Sequence, residues 1–221
     1  MLRMGRRLFS SSPVTLVSRA VAKPSTRSAA LVSRSVAKPS AARPVVSTPV
    51  SELRPHYDVV VVGGGVIGCS VAYHAARAGA TVLVVERRGI AAEQSSKSWG
   101  FCRQQGRDTR ELRLMRESIA RWEQLEEELD ADVGWQQGGN LMLFAGEKEK
   151  QVQTRWASAA QPCGVRSEVL DQAGVASVFP GMSSDRITGG LWTRSDGTTD
   201  PERSTLAFAA AASRAGMTAG T

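Results

Sequence analysis

The stretch Val59–Ser70 reads VVVVGGGVIGCS, and the predicted fold of this chain follows from it. Four consecutive valines predict a strand that is buried on both faces, because a half-buried strand would alternate apolar and polar residues. The small residues that follow predict a helix over Val66–Ala78, which Gly79 ends. Thr81–Val85 reads TVLVV and predicts a second buried strand. This order of strand, glycine turn, helix and strand predicts a parallel pair joined by a crossover helix.

The glycine turn has the spacing G-x-G-x-x-G, with Gly63, Gly65 and Gly68 at the three positions. Such glycines allow a tight turn, close approach of a pyrophosphate to the backbone, and close packing of the helix on the strand. The free amides of the first helical turn then face the phosphates. Glu86 ends the second strand, where a carboxylate can bind ribose hydroxyl groups and would repel a 2′-phosphate. The pattern predicts a dinucleotide site for NAD or FAD, with a turn that serves packing alone as the alternative.

The remaining patterns predict further helices and strands. Apolar residues at steps of three and four predict one long amphipathic helix over Thr109–Leu129, and the acidic run Glu126–Glu128 near its end is expected on a solvated surface. A second surface helix is predicted over Gly146–Ala160, with Val152 and Trp156 facing inward. The other predicted elements are strands at Leu141–Phe144 and Ile187–Trp192 and a helix at Pro201–Ala215.

The first fifty residues differ in composition from the rest. They contain nine Lys or Arg and no Asp or Glu, so 19 basic and 21 acidic residues remain beyond residue 50, and this balance argues against nucleic-acid binding. An Arg- and Ser-rich leader without acids is typical of an organelle transit peptide, and RRLFSSS at Arg6–Ser12 resembles a mitochondrial processing site. We therefore predict a disordered transit peptide over 1–50 and a mitochondrial, matrix location. A chloroplast address and a basic tail that binds an anionic surface are the alternatives.

Several classes of site and protein are disfavoured by the residues that could form them. The cysteines are Cys69, Cys102 and Cys163, which are too widely spaced for a disulfide framework or a zinc site. The histidines are His56 and His74 alone, so no metal site is expected. No apolar run is long enough for a membrane span, so an integral membrane protein is not expected.

Longer segments of the chain resemble a known family. EQSSKSWGFCRQQG (Glu93–Gly106) and RWEQLEEEL (Arg121–Leu129) are followed in order by GGNLMLF, VFPGM and GGLWTRSDGTTDP. Together they resemble the FAD-dependent oxidoreductases that include sarcosine oxidase, sarcosine and dimethylglycine dehydrogenases, glycine oxidase and D-amino acid oxidase. The resemblance covers nearly all of residues 57–221. It implies an α/β fold in which a doubly wound, Rossmann-like FAD-binding domain is interleaved with a substrate domain.

The resemblance also implies roles for individual residues. Arg87 would lie by the adenosine, Ser95 and Ser96 would lie on the loop that runs past the pyrophosphate toward the flavin, and Arg103 would lie near the isoalloxazine ring as a candidate catalytic residue. A surface ion pair is the alternative role of Arg103. No histidine occurs in the segment through which some relatives attach flavin covalently, so non-covalent FAD is expected. The predicted cofactor-binding residues are Gly63, Gly64, Gly65, Val66, Ile67, Gly68, Glu86, Arg87, Ser95 and Ser96.

The domain limits and the function follow from the same resemblance. Residues 51–221 would be the N-terminal part of the oxidoreductase domain, truncated at the C-terminus, with the FAD-binding unit at about 57–105 and the substrate domain starting at about 130–200. The implied activity is FAD-dependent oxidation of the C–N bond of a secondary or tertiary amino acid, with oxygen or an electron-transfer flavoprotein as acceptor. The alternatives are a flavoprotein-like assembly or regulatory factor of a mitochondrial respiratory complex and an NAD-dependent dehydrogenase.

Overall fold

A computed structural model of the chain describes residues 15–16, 47–182 and 184–220. Most of the predicted transit peptide, 1–50, lies outside these residues; its described parts are 15–16 and 47–50. The described strands are β1 (Thr15–Leu16), β2 (Val59–Val62), β3 (Val82–Val85), β4 (Phe101–Cys102), β5 (Asn140–Phe144), β6 (Glu168–Asp171), β7 (Gly189–Thr193), β8 (Gly197–Thr198) and β9 (Thr218–Gly220). The described helices are α1 (Val66–Arg77), α2 (Gln94–Lys97), α3 (Leu112–Trp122), α4 (Leu125–Leu129), α5 (Glu147–Ala160), α6 (Gln172–Val178) and α7 (Pro201–Arg214).

The contacts within the chain divide it into two compact units, each built from separated segments. The first, which we call the turn unit, contains the glycine turn and comprises 47–103, Leu114–Gln137 and 197–220 of the described residues. The second, the sheet unit, comprises 15–16, Gln104–Arg113 and Gly138–Asp196, with residue 183 not described. The chain passes repeatedly from one unit to the other. This alternation agrees with the predicted interleaved organisation, and the predicted limits of the FAD-binding unit, about 57–105, and of the substrate domain, about 130–200, stay predictions.

The turn unit is built on a parallel sheet in the order β2-β3-β9. In the first pair Val59 lies opposite Val82 and Val62 opposite Val85, so the two predicted strands pair in parallel as expected. Helix α1 joins them and packs against α7, whose inward face consists largely of alanines that let the two helices approach closely. The predicted α/β class and the predicted strands and helix around the glycine turn are confirmed.

The prediction that β2 is buried on both faces is wrong. Its valines alternate: Val59 and Val61 pack into the core, whereas Val60 is 55% exposed and Val62 is 87% exposed. The physical reason is that helices α1 and α7 cover one face of this sheet in the described part of the chain, and β2 lies at its edge. A continuous run of valines is compatible with either arrangement.

The sheet unit contains an antiparallel sheet in the order β1-β5-β7-β6. Asn140 pairs with Thr193 and Phe144 with Gly189, which sets the register of its central pair. Helix α6 packs against β6 and β7, and the cluster around Leu141, Val175 and Trp192 forms the core on that side. The predicted strands at Leu141–Phe144 and Ile187–Trp192 are confirmed within a residue or two.

The predicted helix over Thr109–Leu129 is interrupted. Helix α3 ends at Trp122 and α4 begins at Leu125, because the amide of Gln124 bonds three residues back to Arg121 and tightens the last turn. The apolar stripe nevertheless faces inward as predicted: its members, all buried or half-buried, are Leu112, Met115, Ile119, Trp122, Leu125 and Leu129.

Two predictions about side chains on the helices are also wrong. On α5, Trp156 is half-buried as predicted, but Val152 is exposed and its neighbour Gln153 is buried, since the inward face is rotated by one residue. In the acidic run at α4, Glu126 is half-buried and accepts hydrogen bonds from the amides of Val133 and Trp135. Glu126 therefore stabilises the loop after α4 and is not a merely solvated residue.

Candidate cofactor site

The glycine turn between β2 and α1 has the tight geometry that its sequence predicts. Gly63 has φ = +108° and donates its amide to the Val85 carbonyl oxygen over 2.8 Å. A Cβ added at Gly68 would overlap the carbonyl oxygen of Gly63. Gly63 therefore supplies a backbone conformation that other residues rarely adopt, and Gly68 supplies the close approach of helix to strand.

The first turn of α1 presents amides at this point. Gly65 is the N-cap residue and has no side-chain capping bond of its own, while the Val66 amide donates to Ser95 Oγ over 2.9 Å. Among the described residues, the amides of Ile67 and Gly68 make no hydrogen bond to the protein. A Cβ added at Gly65 would lie 3.0 Å from Ser95 Oγ, so a side chain there would crowd the hydroxyl group that bonds the first amide of α1. The turn thus fits an anionic group such as a pyrophosphate.

Glu86 lies against the same turn. One of its carboxylate oxygens, Oε2, accepts the Gly64 amide over 2.8 Å, and the other, Oε1, accepts the Arg88 amide over 2.9 Å. The bond from Gly64, followed by that from Arg88, lowers the pKa of Glu86 below its ordinary value, so the group is ionised at neutral pH. A carboxylate has about four acceptor positions, so oriented lone pairs remain for ribose hydroxyl groups.

The other predicted cofactor residues are distributed around Glu93. Ser96 Oγ donates to the Glu93 carbonyl oxygen over 3.0 Å, and the exposed Arg87 guanidinium lies 3.6 Å from the Glu93 carboxylate. Glu93 also pairs with Arg88 over 2.6 Å. The structure therefore places Glu86 and Ser95 each in contact with the Gly63–Gly68 turn, whereas Arg87 and Ser96 are bonded to a neighbouring acidic residue.

Arg103, the candidate catalytic residue, is half-buried and directly follows β4. It is the last residue of its segment of the turn unit, and the next residue belongs to the sheet unit. Its predicted place near an isoalloxazine ring stays a prediction.

A buried carboxylate in the sheet unit was missed by the sequence analysis. Asp196 is fully buried; its Oδ1 accepts the Gln104 amide over 2.8 Å and its Oδ2 accepts the Gln105 amide over 3.1 Å. Gln104 Nε2 donates to the same carboxylate over 3.1 Å. Burial raises the pKa of Asp196 above its ordinary value, and the hydrogen bonds from Gln104 and Gln105 act in the opposite direction. No local pattern marks this group, since its partners lie about ninety residues earlier in the chain.

Thiol and metal chemistry receive no support from the side chains of the site. Cys69 is fully buried in the first turns of α1, and its thiol donates to the Gly64 carbonyl oxygen over 3.5 Å. Burial raises its pKa to about 12, so it packs as a small apolar residue and is no nucleophile. The described residues include no group of three or more His, Cys, Asp or Glu arranged to hold a metal ion.

Comparison with known proteins identifies the family. A family model described as FAD dependent oxidoreductase matches residues 58–220. This chain belongs to that family. The cofactor of the FAD-dependent oxidoreductases is FAD, and the NAD-dependent alternative is therefore set aside.

Named relatives are consistent with this membership. Mitochondrial sarcosine dehydrogenase from Homo sapiens is 31% identical over 176 residues, which is 78% of this chain and 19% of that protein. Sarcosine oxidase subunit beta from Rhizobium meliloti is 32% identical over 66% of this chain and 36% of that protein. The crystal structure of glycine oxidase from Bacillus cereus is 31% identical with a TM-score of 0.68, over 75% of this chain and 46% of that one. The chain thus spans between about a fifth and a half of the length of these relatives.

None of the helices in the described residues combines the length and the apolar character that a membrane crossing requires.

Proposed function

We propose that Gly63–Gly68 and Glu86 bind the ADP part of FAD, and that the protein formed by this chain oxidises the C–N bond of a secondary or tertiary amino acid. The observation that carries the proposal is the glycine turn, where free first-turn amides and an ionised, oriented carboxylate lie close together. The amides suit a pyrophosphate and the carboxylate suits ribose hydroxyl groups. The family and the activities after which the relatives are named support the amine class of substrate.

FAD, when bound, supplies the acceptor for the hydride equivalent removed from the amine. The residues of this chain would bind and orient. The amides of Ile67 and Gly68 would hold phosphate oxygens, and Ser95, whose hydroxyl already bonds the Val66 amide, would fix the loop beside them. Glu86 would select a ribose without a 2′-phosphate through its negative charge. Gly64 and Arg88 keep that carboxylate ionised and correctly placed.

The remaining predicted residues have supporting roles in this proposal. Arg87 would lie by the adenosine and Ser96 would shape the loop through its bond to Glu93. Arg103 would place a fixed cation near the isoalloxazine ring and stabilise negative charge there. FAD would be held non-covalently in this part of the protein.

The cellular setting is proposed from the leader and the relatives. An acid-free, Arg-rich leader and similarity to an enzyme named as mitochondrial both support a mitochondrial, matrix location. Oxygen or an electron-transfer flavoprotein would reoxidise the cofactor.

The test is flavin binding followed by anaerobic reduction. The purified full chain should bind FAD and not FMN, and G65V should lose binding because its side chain would crowd Ser95 Oγ and the start of α1, where the phosphates are proposed to bind. The matched control is G89A, since a Cβ at Gly89 would meet no atom within 4 Å. Normal FAD binding by G65V would contradict the proposed site.

Substrate class is tested on the protein with FAD bound. Sarcosine or dimethylglycine should bleach the flavin absorbance under anaerobic conditions, and glycerol 3-phosphate should not. Flavin that stays oxidised with every secondary and tertiary amine offered would contradict the enzymatic proposal. Such a result, together with stable association with a respiratory complex, would favour the assembly or regulatory factor.

A further inference from the structure

The end of the predicted leader makes backbone contacts with the turn unit. The Thr48 amide donates to the Ala219 carbonyl oxygen of β9 over 2.7 Å, and Thr48 forms a parallel bridge with Gly220. A short 3₁₀ turn follows at Val50–Glu52. We refer to residues 47–53 as the strap. Because β9 is the outer strand of the parallel sheet, the strap covers its edge.

The last residue of the strap packs on the face of this sheet that lies opposite α1 and α7. A Cβ added at Gly220 would lie 3.7 Å from Leu53 Cδ1 and 3.5 Å from Leu83 Cδ1, so the two leucines flank the same point. Leu83 lies opposite Val60 in the register of β2 and β3, so both side chains are on this face. Leu83 is 8% exposed, whereas Val60, farther from the strap, is 55% exposed. The loss of Leu53 would therefore return apolar surface on this face to water.

The charge pattern of the leader ends before the strap. The nine Lys and Arg of the first fifty residues lie between Arg3 and Arg43, and the first acidic residue of the chain is Glu52. The strap therefore lacks the basic residues that are typical of a transit peptide. It also precedes residues 58–220, which match the family model, so family membership alone does not imply its contacts.

We infer that the strap belongs to the folded protein and that proteolytic removal of the leader leaves it in place, with cleavage at or before the bond between Val46 and Ser47. The inference rests on the proposed mitochondrial location. The step is hydrolysis of one peptide bond by a processing protease, in which water supplies the OH of the new carboxyl end and a hydrogen of the new amino end. Cleavage within Arg6–Ser12 meets this condition and also keeps β1, whereas removal of all of 1–50 would take away the Thr48 bond.

The first test is limited proteolysis of the purified full chain with a protease of broad specificity, followed by the mass of the resistant fragment. The fragment should begin at or before Ser47, because a chain end that is tied down resists cleavage. A resistant fragment that begins at Thr48 or later would overturn the inference. Degradation that leaves no resistant fragment would overturn it as well.

Substitutions in the strap show whether its contacts cause this resistance. L53S should speed cleavage within the strap roughly 3- to 10-fold, because cleavage follows the population of the opened segment and part of the burial of a leucine is lost. The matched control is V50S, which removes a side chain of the strap that is 72% exposed and should change the rate by less than about twofold.

A second pair of variants tests the backbone bond. T48P should speed cleavage as L53S does, since proline has no amide to donate to Ala219, and T48A should not. Equal cleavage rates in L53S and V50S, or in T48P and T48A, would overturn the role of the strap.

Import of the full chain into isolated mitochondria tests the processing limit itself. The mass of the imported, shortened chain should place its new amino end at or before Ser47. An amino end beyond Ser47 would overturn the inference and leave the proposed location intact. A chain that is neither imported nor shortened would overturn both the processing step and the proposed location, while the proteolysis of the purified chain would still decide whether the strap is part of the fold.

Discussion

The glycine turn and the Asp196 cluster are two ways to build a rigid polar site. At the turn, the polar groups that face outward are backbone amides, and the glycines that set its backbone conformation lie within Gly63–Gly68. In the Asp196 cluster, one buried carboxylate receives the amides of Gln104 and Gln105 from about ninety residues earlier in the chain. The turn therefore presents unsatisfied donors to a ligand, whereas the cluster satisfies its donors internally.

Because of this difference, we expect the turn to bind a ligand and the Asp196 cluster to stabilise the fold. Free amides at a helix start can bind an anion, so the turn is suited to ligand binding. A fully buried carboxylate with three donors holds two segments of the sheet unit together. Substitutions in the cluster should therefore affect stability, while substitutions at the turn should affect either stability or ligand binding, according to which glycine is changed.

The largest expected effect is that of D196A. The substitution leaves the buried amides of Gln104 and Gln105 without an acceptor, at about 1–3 kcal/mol for each group, so the free energy of unfolding should fall by roughly 3 to 5 kcal/mol. Denaturant unfolding measures the change. D196N keeps the volume and one acceptor oxygen and should lose less. Wild-type stability in D196A would mean that water replaces the carboxylate.

The next largest effect is that of G68A at the glycine turn. Its Cβ would overlap the Gly63 carbonyl oxygen, a backbone atom that cannot move aside without shifting β2 or α1, so we expect a loss of roughly 1–3 kcal/mol in unfolding free energy. By contrast G65A, at the ordinary φ of −82°, should weaken FAD binding with little loss of stability. Equal destabilisation by the two substitutions would contradict the separate roles assigned to these glycines.

The pH dependence of stability should distinguish the two carboxylates. The folded-state pKa of Asp196 is raised, so the folded chain binds the proton of this carboxyl group more tightly than the unfolded chain does. The stability that this proton contributes is therefore lost as pH rises from about 4 through the folded-state pKa. The pKa of Glu86 is lowered, so the stability contributed by its ionised carboxylate is lost as pH falls through the folded-state pKa. Unfolding curves of the wild type and D196N from pH 4 to 8 measure the first effect. A difference in unfolding free energy between the wild type and D196N that grows with pH would contradict the expected loss.

The smallest expected effect on stability is that of E86Q. The side-chain amide that replaces the carboxylate keeps one acceptor oxygen for one of the two backbone amides, and the site is only half-buried. The unfolding free energy should therefore change by less than about 1 kcal/mol. Discrimination against a ribose 2′-phosphate should nevertheless weaken, because the repelling charge is gone. Competition between ADP and 2′-phospho-ADP measures this. Unchanged discrimination would show that Glu86 does not face the ribose.

Local patterns predicted the turn unit well around its glycines. The bounds of β2, β3 and α1 follow from a valine run, a glycine spacing and the stop at Gly79, which has φ = +90°. Each of these signals acts over a few residues, so no distant partner is needed to interpret it. The same reasoning succeeded for α7, where Pro201 occupies the first helical turn and Asp200 caps it by accepting the amides of Glu202 and Arg203.

Local sequence patterns gave a wrong prediction, or none, for features that depend on a segment distant in the chain. The valines of β2 predicted burial on both faces, but which face is covered depends on α1 and α7. Strand β6, Glu168–Asp171, was not predicted because its sequence carries no clear alternation, and it forms by pairing with β7. Helix α3 stops at Trp122 although the apolar stripe continues.

The sequence by itself determined the chemistry of the glycine turn, since backbone conformation and the absence of a Cβ are properties of single residues. It also determined the parallel pairing of β2 and β3, because a crossover helix of this length allows little else. Only the tertiary structure decided that Ser95 contacts the start of α1, that Glu86 is held by Gly64, and that Asp196 is buried with Gln104 and Gln105. These contacts join residues far apart in the chain, and which partners meet is fixed by the packing of whole elements and by the need to satisfy buried polar groups.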